Sequence, residues 1–492
     1  MRQTFKALTL TAIAGASMMC ATSASFAAAT PAADLPQATI IILNRDPAGY
    51  GFNDPTPVAP VGGNPATTLG EQRLFVYRYV ADIWQQNIRS AVPIVVNAGW
   101  ENLTCDASSA VLGSAGARTY WSEFPNGEPN TYYHQALANR LAGVNLAGDG
   151  APSVNNADIK TQFNARLGEA NCLSGSPFYL GIDGKAGTKV NFVETLLHEL
   201  GHGLGFSLGT TSSSTGSRPN GKASIWEKHM FDNTQQKTWF EMTAAQRVTS
   251  GTNNLKLAWV GPNVAAGQSL LAPTPVLKIV TPVVGVSGTY DYGAAAFGAP
   301  VVSGFSFGKM AVYKTQTGES GPGCDAFNAA NIAAVTGKVA IISRGTCAFS
   351  IKAKNAQNAG AIGVLLANNA NAILNPSGTD ATITIPVVLV SQPDGIKIAN
   401  AVAAAVPLGS RSTPGAVTGS FSVDPTRIAG ADSLGRPLLY TPTVFAAGSS
   451  VSHWDVTATP NLLMEPNINS DLGIILTAPK DLTVPLLKDI GW

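Results

Sequence analysis

Charged residues are scarce in this chain. Aspartate, glutamate, lysine and arginine make up 12% of its 492 residues, and the formal net charge is +1. The acidic and basic residues are scattered, so neither a basic patch nor a long run of one sign occurs. Proteins that bind nucleic acids usually carry such a patch to neutralise the phosphates. The sequence therefore predicts no nucleic-acid partner.

Long apolar runs are lacking as well. The run at residues 7–19 is interrupted by Thr, Gly and Ser and is too short to span a bilayer comfortably. It follows Arg2 and Lys6 and precedes small residues that end at Ala27, a pattern typical of a secretory signal peptide. We therefore predict a signal peptide over residues 1–27, no transmembrane segment in the mature chain, and a secreted or periplasmic protein.

Cysteine is also rare. Removal of the leader leaves an even number of cysteines in a chain bound for an oxidising compartment, which predicts two disulfides. No C-x-x-C pair occurs, so a metal site made of these cysteines is disfavoured. Three connectivities are possible among the residues concerned, which are Cys105, Cys172, Cys324 and Cys347.

The length and the distribution of residues indicate more than one domain. A chain of 492 residues is too long for a single compact core. From residue 276 onward the composition changes to short Val, Ile and Ala runs with many glycines, and no histidine follows until His453. A second domain is therefore expected to begin near residue 276.

The first part of the chain shows an α+β order of elements. Apolar, β-branched runs predict strands at residues 39–43, 92–96 and 159–163, and the last of these is expected to border the active-site cleft. Capping-box spacing followed by apolar residues at helical intervals predicts a helix over residues 68–88. A further helix is expected near residues 134–141.

The stretch at residues 193–206 reads V-E-T-L-L-H-E-L-G-H-G-L-G-F. If it is helical, His198 and His202 lie one turn apart on one face and can bind one metal ion. Glu199 leaves the helix in another direction, so it can take a proton from a metal-bound water but is not expected to be a ligand. Glycines follow directly and indicate that the helix stops there. This pattern predicts a zinc hydrolase.

A catalytic zinc site needs at least three protein ligands, and this helix supplies two. The compact metzincin pattern H-E-x-x-H-x-x-G-x-x-H is excluded, because Leu208 stands where its third histidine would fall. Glu227 lies at about the distance expected of a gluzincin glutamate. His453, far along the chain, is the other candidate. For His134 and His229 the sequence favours surface or partly buried positions without a role in the site.

The centre of the second domain reads as strand, helix, strand, loop and strand. It contains G-K-V-A-I-I-S-R-G-T-C-A-F at residues 337–349, an Ala-rich segment running into G-A-I-G-V-L-L-A-N-N, and T-I-P-V-V-L-V at residues 384–390. These motifs, in this order, resemble the protease-associated (PA) domain family over about residues 276–423. The resemblance implies a module without catalytic residues that sits in or beside a peptidase domain.

After this domain the chain reads S-H-W-D around His453, L-L-M-E-P around Met464, and closes with D-I-G-W. Together with H-E-L-G-H-G-L-G-F, these motifs resemble the leishmanolysin family of metzincins. The resemblance implies that His198, His202 and His453 bind Zn²⁺, that Glu199 is the general base, and that Met464 forms a turn beneath the metal. The chain departs from that family by its inserted PA-like domain and by lacking the usual cysteine set.

We therefore predict an α+β protein in which a metzincin-like zinc peptidase domain, a twisted sheet plus active-site helix, is split by an α/β PA domain. The predicted boundaries are residues 28–275 and 424–492 for the peptidase domain and 276–423 for the insertion. Because each pair then lies within one domain, the favoured disulfides are Cys105 with Cys172 and Cys324 with Cys347.

The expected activity is hydrolysis of peptide or protein substrates by a zinc endopeptidase. Two alternatives stay open from the sequence. One is a gluzincin-type aminopeptidase with Glu227 as the third ligand. The other is a binding protein with a structural metal that acts through its PA domain. The intact Glu199 speaks against the second alternative, because a structural metal site has no need of that carboxylate.

Overall fold

The computed structural model describes residues 35–492, apart from 108, 149, 377, 379, 406–415 and 470. The predicted signal peptide lies outside this range. Within the described range, no helix is long and apolar enough to cross a membrane.

A four-stranded sheet forms the base of the first part of the chain. Its spatial order is β1-β2-β6-β3, in which β1, β2 and β6 run parallel and β3 is antiparallel to β6. The helix between β1 and β2 supplies the crossover that a parallel pair requires. The strands are β1 (Ile40–Asn44), β2 (Ile94–Glu101), β3 (Gly113–Ala117) and β6 (Ile159–Asn164).

Three helices accompany this sheet: α1 (Leu69–Asn87), α2 (Gln135–Ala142) and α3 (Phe192–Leu204). The predicted capping box at the start of α1 is confirmed, because Thr68 Oγ1 accepts from the Glu71 amide while the Glu71 carboxylate accepts from the Thr68 amide. These reciprocal bonds satisfy two of the amides that a helix start leaves free.

Aromatic rings fix α3 to the sheet. The Phe192 ring, on the first residue of α3, lies 5.1 Å from Trp100 on β2 and 5.0 Å from Phe163 on β6. Tyr77 of α1 packs edge-on against Phe163 at 5.8 Å. Such pairs add roughly 0.5–1.5 kcal/mol each beyond the burial of their area. The start of α3 is therefore held at a fixed place on the sheet.

Short elements complete this part of the chain. The strands are β4 (Tyr120–Trp121), β5 (Thr131–His134), β7 (Phe178–Tyr179), β8 (Val190–Asn191), β9 (Ala223–Ser224), β10 (Met230–Asp232), β11 (Lys237–Thr238) and β12 (Leu257–Trp259). The helices are α4 (Ala244–Ser250) and α5 (Pro262–Gly267).

An eight-stranded sheet follows, in the order β14-β13-β20-β16-β17-β18-β19-β15. Strands β16 to β19 run parallel. β17 and β18 are buried on both faces by two apolar clusters, as expected from the apolar runs at residues 339–342 and 363–366. The strands are β13 (Pro273–Val280), β14 (Gly288–Tyr290), β15 (Gly293–Ala294), β16 (Ser306–Val312), β17 (Val339–Ser343), β18 (Gly363–Ala367), β19 (Val387–Val390) and β20 (Thr418–Ile428), with helices α6 (Ala329–Val335), α7 (Phe349–Asn358) and α8 (Gln392–Ala404).

The chain enters and leaves this second sheet on neighbouring strands. β13 and β20 pair antiparallel, and Val276 stands opposite Ser422. After β20 the chain returns to the first core, where Leu439, Trp454 and Leu462 are buried together with apolar residues of α1 and α3. The last helix is α9 (Thr483–Asp489). One apolar core is thus built from chain segments that precede and follow the second sheet in the sequence.

Both disulfides have the pairing favoured from the sequence. Cys105 is bonded to Cys172 within the first part, and Cys324 is bonded to Cys347 within the second sheet's domain.

Candidate metal centre

Helix α3 carries His198 and His202, and its two ends are well defined. Asn191 accepts a hydrogen bond from the Val193 amide at the start. At the end, Gly205 has a φ of 125°, which a residue with a side chain rarely adopts, so the helix stops there. The indole of Trp492, the last residue of the D-I-G-W motif, donates to the carbonyl of Leu204 at 2.8 Å.

Three histidines converge from the two halves of the first core. The Nε2 atom of His202 lies 3.1 Å from Nε2 of His198 and 3.1 Å from Nε2 of His453. Tetrahedral zinc bound to nitrogen at about 2.0–2.1 Å would separate its ligand atoms by about 3.3 Å. The two observed spacings lie close to this value, and all three ligand atoms lie within 4.8 Å of one another, so the three histidines could hold one zinc ion.

The other ring nitrogen of each histidine is held by a backbone carbonyl. Nδ1 of His198 lies 2.7 Å from the oxygen of Leu463, and Nδ1 of His202 lies 2.7 Å from that of Phe206. Nδ1 of His453 lies 2.9 Å from the oxygen of Ser449. A carbonyl accepts only, so each Nδ1 carries the proton and each Nε2 presents its lone pair to the common centre.

The three imidazoles are also kept neutral. Burial lowers the pKa of His198 to about 3 and that of His202 to about 4. The pKa of His453 is well below its usual range, because of burial first and then of the two neighbouring histidines. Neutral imidazole is the form that binds a metal, so the donor set is ready to bind a metal at neutral pH.

Glu199 follows His198 on α3 and is not part of the group of three histidines. Its half-buried carboxyl is hydrogen-bonded by the backbone of Ala115, on β3, and desolvation raises its pKa to about 8. It leaves α3 on the side of β3. The carboxyl therefore lies beside an edge strand of the sheet, on the same helix as His198 and His202.

Met464 lies directly under the helix. Its side chain is fully buried, and a Cβ added to Gly201 would fall 2.8 Å from its sulfur. The Trp454 amide donates to the carbonyl of Met464 at 2.8 Å, which ties the segment that carries His453 to the turn that contains Met464. The G in H-E-L-G-H is thus explained by close packing of helix and turn.

Glu227 has other partners. Its Oε1 accepts from the Ser224 amide at 2.9 Å and from the Thr211 hydroxyl, and its Oε2 accepts two hydrogen bonds from the Arg218 guanidinium. The side chain is fully buried in this ion pair. Both oxygens are therefore committed away from the histidine cluster, which is completed by His453 instead.

The remaining histidines differ from one another. His229 is partly buried and stacks on Trp259 at 5.1 Å, as expected of a residue outside the site. His134 is only 1% exposed, so it is neither at the surface nor partly buried. Its Nε2 lies 2.7 Å from Ser207 Oγ, in the loop that leaves α3. His134 is thus buried next to the loop that follows α3, and it is not part of the group formed by His198, His202 and His453.

The strand beside the site was not the one predicted. The expectation was that residues 159–163 border the cleft, but β6 lies inside the sheet, between β2 and β3. The outer strand is β3, and α3 lies alongside it. Its sequence, G-S-A-G-A, has no β-branched or aromatic residue, so β-propensity gave no signal for it.

Comparison with known proteins identifies one part of the chain. Residues 306–398 match the PA domain family. Vacuolar-sorting receptor 5 of Arabidopsis thaliana is 40% identical over 81 residues, which are 16% of this chain and 12% of the receptor. The chain thus spans about an eighth of the length of that curated relative.

Three solved structures overlap with parts of the chain. They are BSAP, a zinc aminopeptidase from Bacillus subtilis (20% identity, TM-score 0.20, 33% of this chain and 36% of that one), an aminopeptidase from Aneurinibacillus sp. strain AM-1 (16%, 0.21, 41% and 42%), and the psychrophilic subtilisin-like protease Apa1 from Pseudoalteromonas sp. AS-11. The last is 16% identical at a TM-score of 0.20, over 31% of this chain and 34% of its own. TM-scores this low do not establish a common fold. The chain is therefore a mixed α/β protein that contains a PA domain.

Proposed function

We propose that this protein is a secreted or periplasmic zinc endopeptidase of the metzincin type. The observation that carries the proposal is the convergence of three neutral Nε2 atoms whose Nδ1 atoms are each held by a backbone carbonyl. A structural zinc site is usually closed by a fourth protein ligand, whereas three ligands are typical of catalytic zinc. Nitrogen donors also suit zinc among the common metals.

The residues around this centre suit peptide hydrolysis. When bound, zinc supplies Lewis-acid polarisation of a carbonyl and acidifies a water molecule. The Glu199 carboxylate takes the proton of the attacking water and delivers it to the leaving amine nitrogen. Burial raises the pKa of this carboxyl, and a bound dication would lower it again, so that the group can be ionised and accept a proton at neutral pH.

The outer strand β3 offers a place for the substrate backbone. In the described part of the chain, β3 pairs with β6 on one side only. An extended peptide can add to such an edge through backbone hydrogen bonds. Gly116 has open space where a side chain would lie, which lets a second backbone approach closely. A peptide bound there would pass Glu199 and the histidines.

The predicted alternatives differ in what they require. An aminopeptidase needs a free α-amino group on its substrate, whereas an endopeptidase cleaves within a chain that is blocked at both ends. A protein whose metal is purely structural cleaves neither peptides with a free N-terminus nor peptides that are blocked at both ends. Glu227 as a zinc ligand would require breaking its buried ion pair with Arg218.

The decisive measurement uses a mixture of N-acetylated, C-amidated peptides with the purified zinc-loaded protein. We expect internal fragments by mass spectrometry and their loss on chelation of the metal. Cleavage that occurs only on the matched peptides with free N-termini, and removes single residues, would establish the aminopeptidase instead. Absence of any cleavage by the zinc-loaded protein would contradict both peptidase assignments.

A further inference from the structure

A large cleft lies between the PA domain and the first core, and the histidine cluster is not part of its lining. Its volume is about 2090 Å³. On the side of the first core the lining includes Glu194 on α3 and Leu112, the residue just before β3. Glu194 precedes His198 by four residues, so the two lie on one face of the helix, roughly 6 Å apart along its axis. The cleft therefore begins next to the metal centre.

The segment that leads to the turn of Met464 reaches the same cleft. Asn461 lines it, and Leu463, two residues later, provides the carbonyl that holds His198. The cleft thus touches the site on two sides, through α3 and through this segment. A substrate chain that leaves the metal centre along β3 would enter it.

The opposite wall belongs to the PA domain, where apolar residues lie beside the polar Asn375 and Asp380. The apolar residues are Tyr292, Ala294, Ala295, Ala296 and Leu374, together with Phe297 and Ile383, whose side chains are buried. Tyr292 and Leu374 are half-buried, and Ala296 is exposed. We call these residues the PA wall. An apolar surface that stays accessible beside a peptidase centre is suited to the apolar side chains of an unfolded or extended chain.

Half of the charged side chains that line the cleft are paired within the protein. Arg427 pairs with Asp291 at 2.7 Å, and Arg436 pairs with Asp432 at 2.7 Å. Among the described residues, no ion pair is found for the other four, which are Lys189, Glu194, Lys256 and Asp380. These are two cations and two carboxylates, so the cleft lacks the convergent single-sign charge that would select a small ionic ligand.

The volume of the cleft favours a polypeptide segment over a small molecule as its ligand. Sites for small molecules usually measure about 300–1,000 Å³. This cleft has roughly twice the upper value and is lined from two separate cores. We propose that it holds the extended segment of a polypeptide substrate beyond the scissile bond, with the PA wall contacting that segment's apolar side chains. This inference rests on the proposed endopeptidase function and names its substrate class: long, apolar-rich, unfolded segments.

The test compares two quenched fluorescent peptides with the same central sequence. One has about 6 residues, at most roughly 20 Å long, and the other about 20 residues with apolar flanks on both sides, up to roughly 70 Å. For the wild-type zinc enzyme we expect kcat/KM to be about tenfold higher on the long peptide, because remote contacts contribute to transition-state binding. Ala296→Arg places a long, charged side chain on the PA wall. In this variant the ratio of kcat/KM for the long peptide to kcat/KM for the short one should fall toward one.

Two variants complete the design. Ala333→Arg makes the same exchange at an exposed position of α6 outside the cleft, and it should keep the wild-type ratio. Leu434→Arg changes a 70% exposed side chain on the facing side of the cleft and should lower the ratio as Ala296→Arg does, even if the latter disturbs the PA domain.

The outcomes separate the two proposals. A wild-type ratio near one, or a ratio unchanged in both cleft variants, would overturn the cleft assignment while leaving the endopeptidase intact. Hydrolysis of neither peptide by the wild-type enzyme would overturn the proposed function, and the cleft assignment with it.

Discussion

Nδ1 of His198 donates a hydrogen bond to the carbonyl oxygen of Leu463 at 2.7 Å, across 265 positions of sequence. This bond joins α3 to the segment that returns after the PA domain. It orients the imidazole of His198 and lies next to the turn that contains Met464. The candidate metal centre therefore forms only where these two distant segments pack together.

Replacement of Glu199 by Gln should abolish peptide hydrolysis without loss of zinc. The amide keeps the size of the side chain but cannot take a proton, and general-base help typically contributes about 10²–10⁴-fold. We expect kcat to fall by that order, with one zinc per chain retained by elemental analysis. Glu169→Gln, at an exposed ion pair with Arg166, is the matched control and should behave as wild type. Activity surviving in Glu199→Gln would disprove the mechanism.

Zinc content should distinguish His453 from Glu227 as the third ligand. His453→Ala removes one of three donors, so zinc should be lost in the presence of a competing chelator. Glu227→Gln should keep its zinc, because Glu227 bonds to Arg218 and to the Ser224 amide. It should lower the melting temperature, since breaking a buried ion pair costs about 3–5 kcal/mol. The reverse pattern of zinc loss would move the protein to the gluzincin class.

Deletion of residues 276–423 should leave a protein that still binds zinc. Val276 and Ser422 stand opposite each other on paired strands, so a short Gly-Ser linker can join the cut ends. The apolar cluster of the first core includes residues from both flanking segments and none from the deleted range. We expect one zinc per chain and cleavage of short peptides. A deleted form that is unfolded by circular dichroism would show that these domain boundaries are wrong.

Asp158 should make stability depend on pH. It is 1% exposed and accepts hydrogen bonds from the Val95 amide and from the side chains of Gln135 and Asn139. Burial nevertheless raises its pKa to about 6. A carboxyl whose folded-state pKa is raised contributes most stability below its unfolded pKa of about 3.9, and this is lost as pH rises through 6.

The matched variant is Asp158→Asn, which has no proton to lose. Its amide can still accept from Gln135 and Asn139 but meets the Val95 amide with a second donor, so it should be less stable than wild type at pH 4.5. The difference in melting temperature between the wild type and Asp158→Asn should narrow from pH 4.5 to pH 7.5, because at the higher pH only the wild type buries a charge. A gap that is constant or widens with pH would show that Asp158 does not titrate in this window.

Local sequence patterns predicted many of the helices and strands. The capping box at Thr68 and Glu71, the helix that carries His198 and His202, and the buried parallel strands of the PA domain all follow from short-range periodicity and capping chemistry. These features depend on residues within a few positions of one another, so they are visible without a structure.

Other features depend on contacts that no local pattern encodes. The strand β3 has a sequence without β-propensity and is a strand because it pairs with β6, from Gly113 opposite Phe163 to Ala117 opposite Ile159. The burial of His134 likewise comes from its contact with Ser207 in the loop after α3. The choice of residues 159–163 as the strand beside the site, and the expected exposure of His134, were wrong because local propensity says nothing about which distant segment packs alongside.

The sequence by itself identified His198 and His202 as candidate metal ligands and Glu199 as the candidate base, because a helix places residues four apart on one face. It offered two candidates for the third position, Glu227 and His453. Only the tertiary structure separates them, since it commits both oxygens of Glu227 to Arg218 and its neighbours while it brings Nε2 of His453 within 3.1 Å of His202. Side-chain chemistry names the possible ligands of a metal, but the packing of distant segments decides which of them meet.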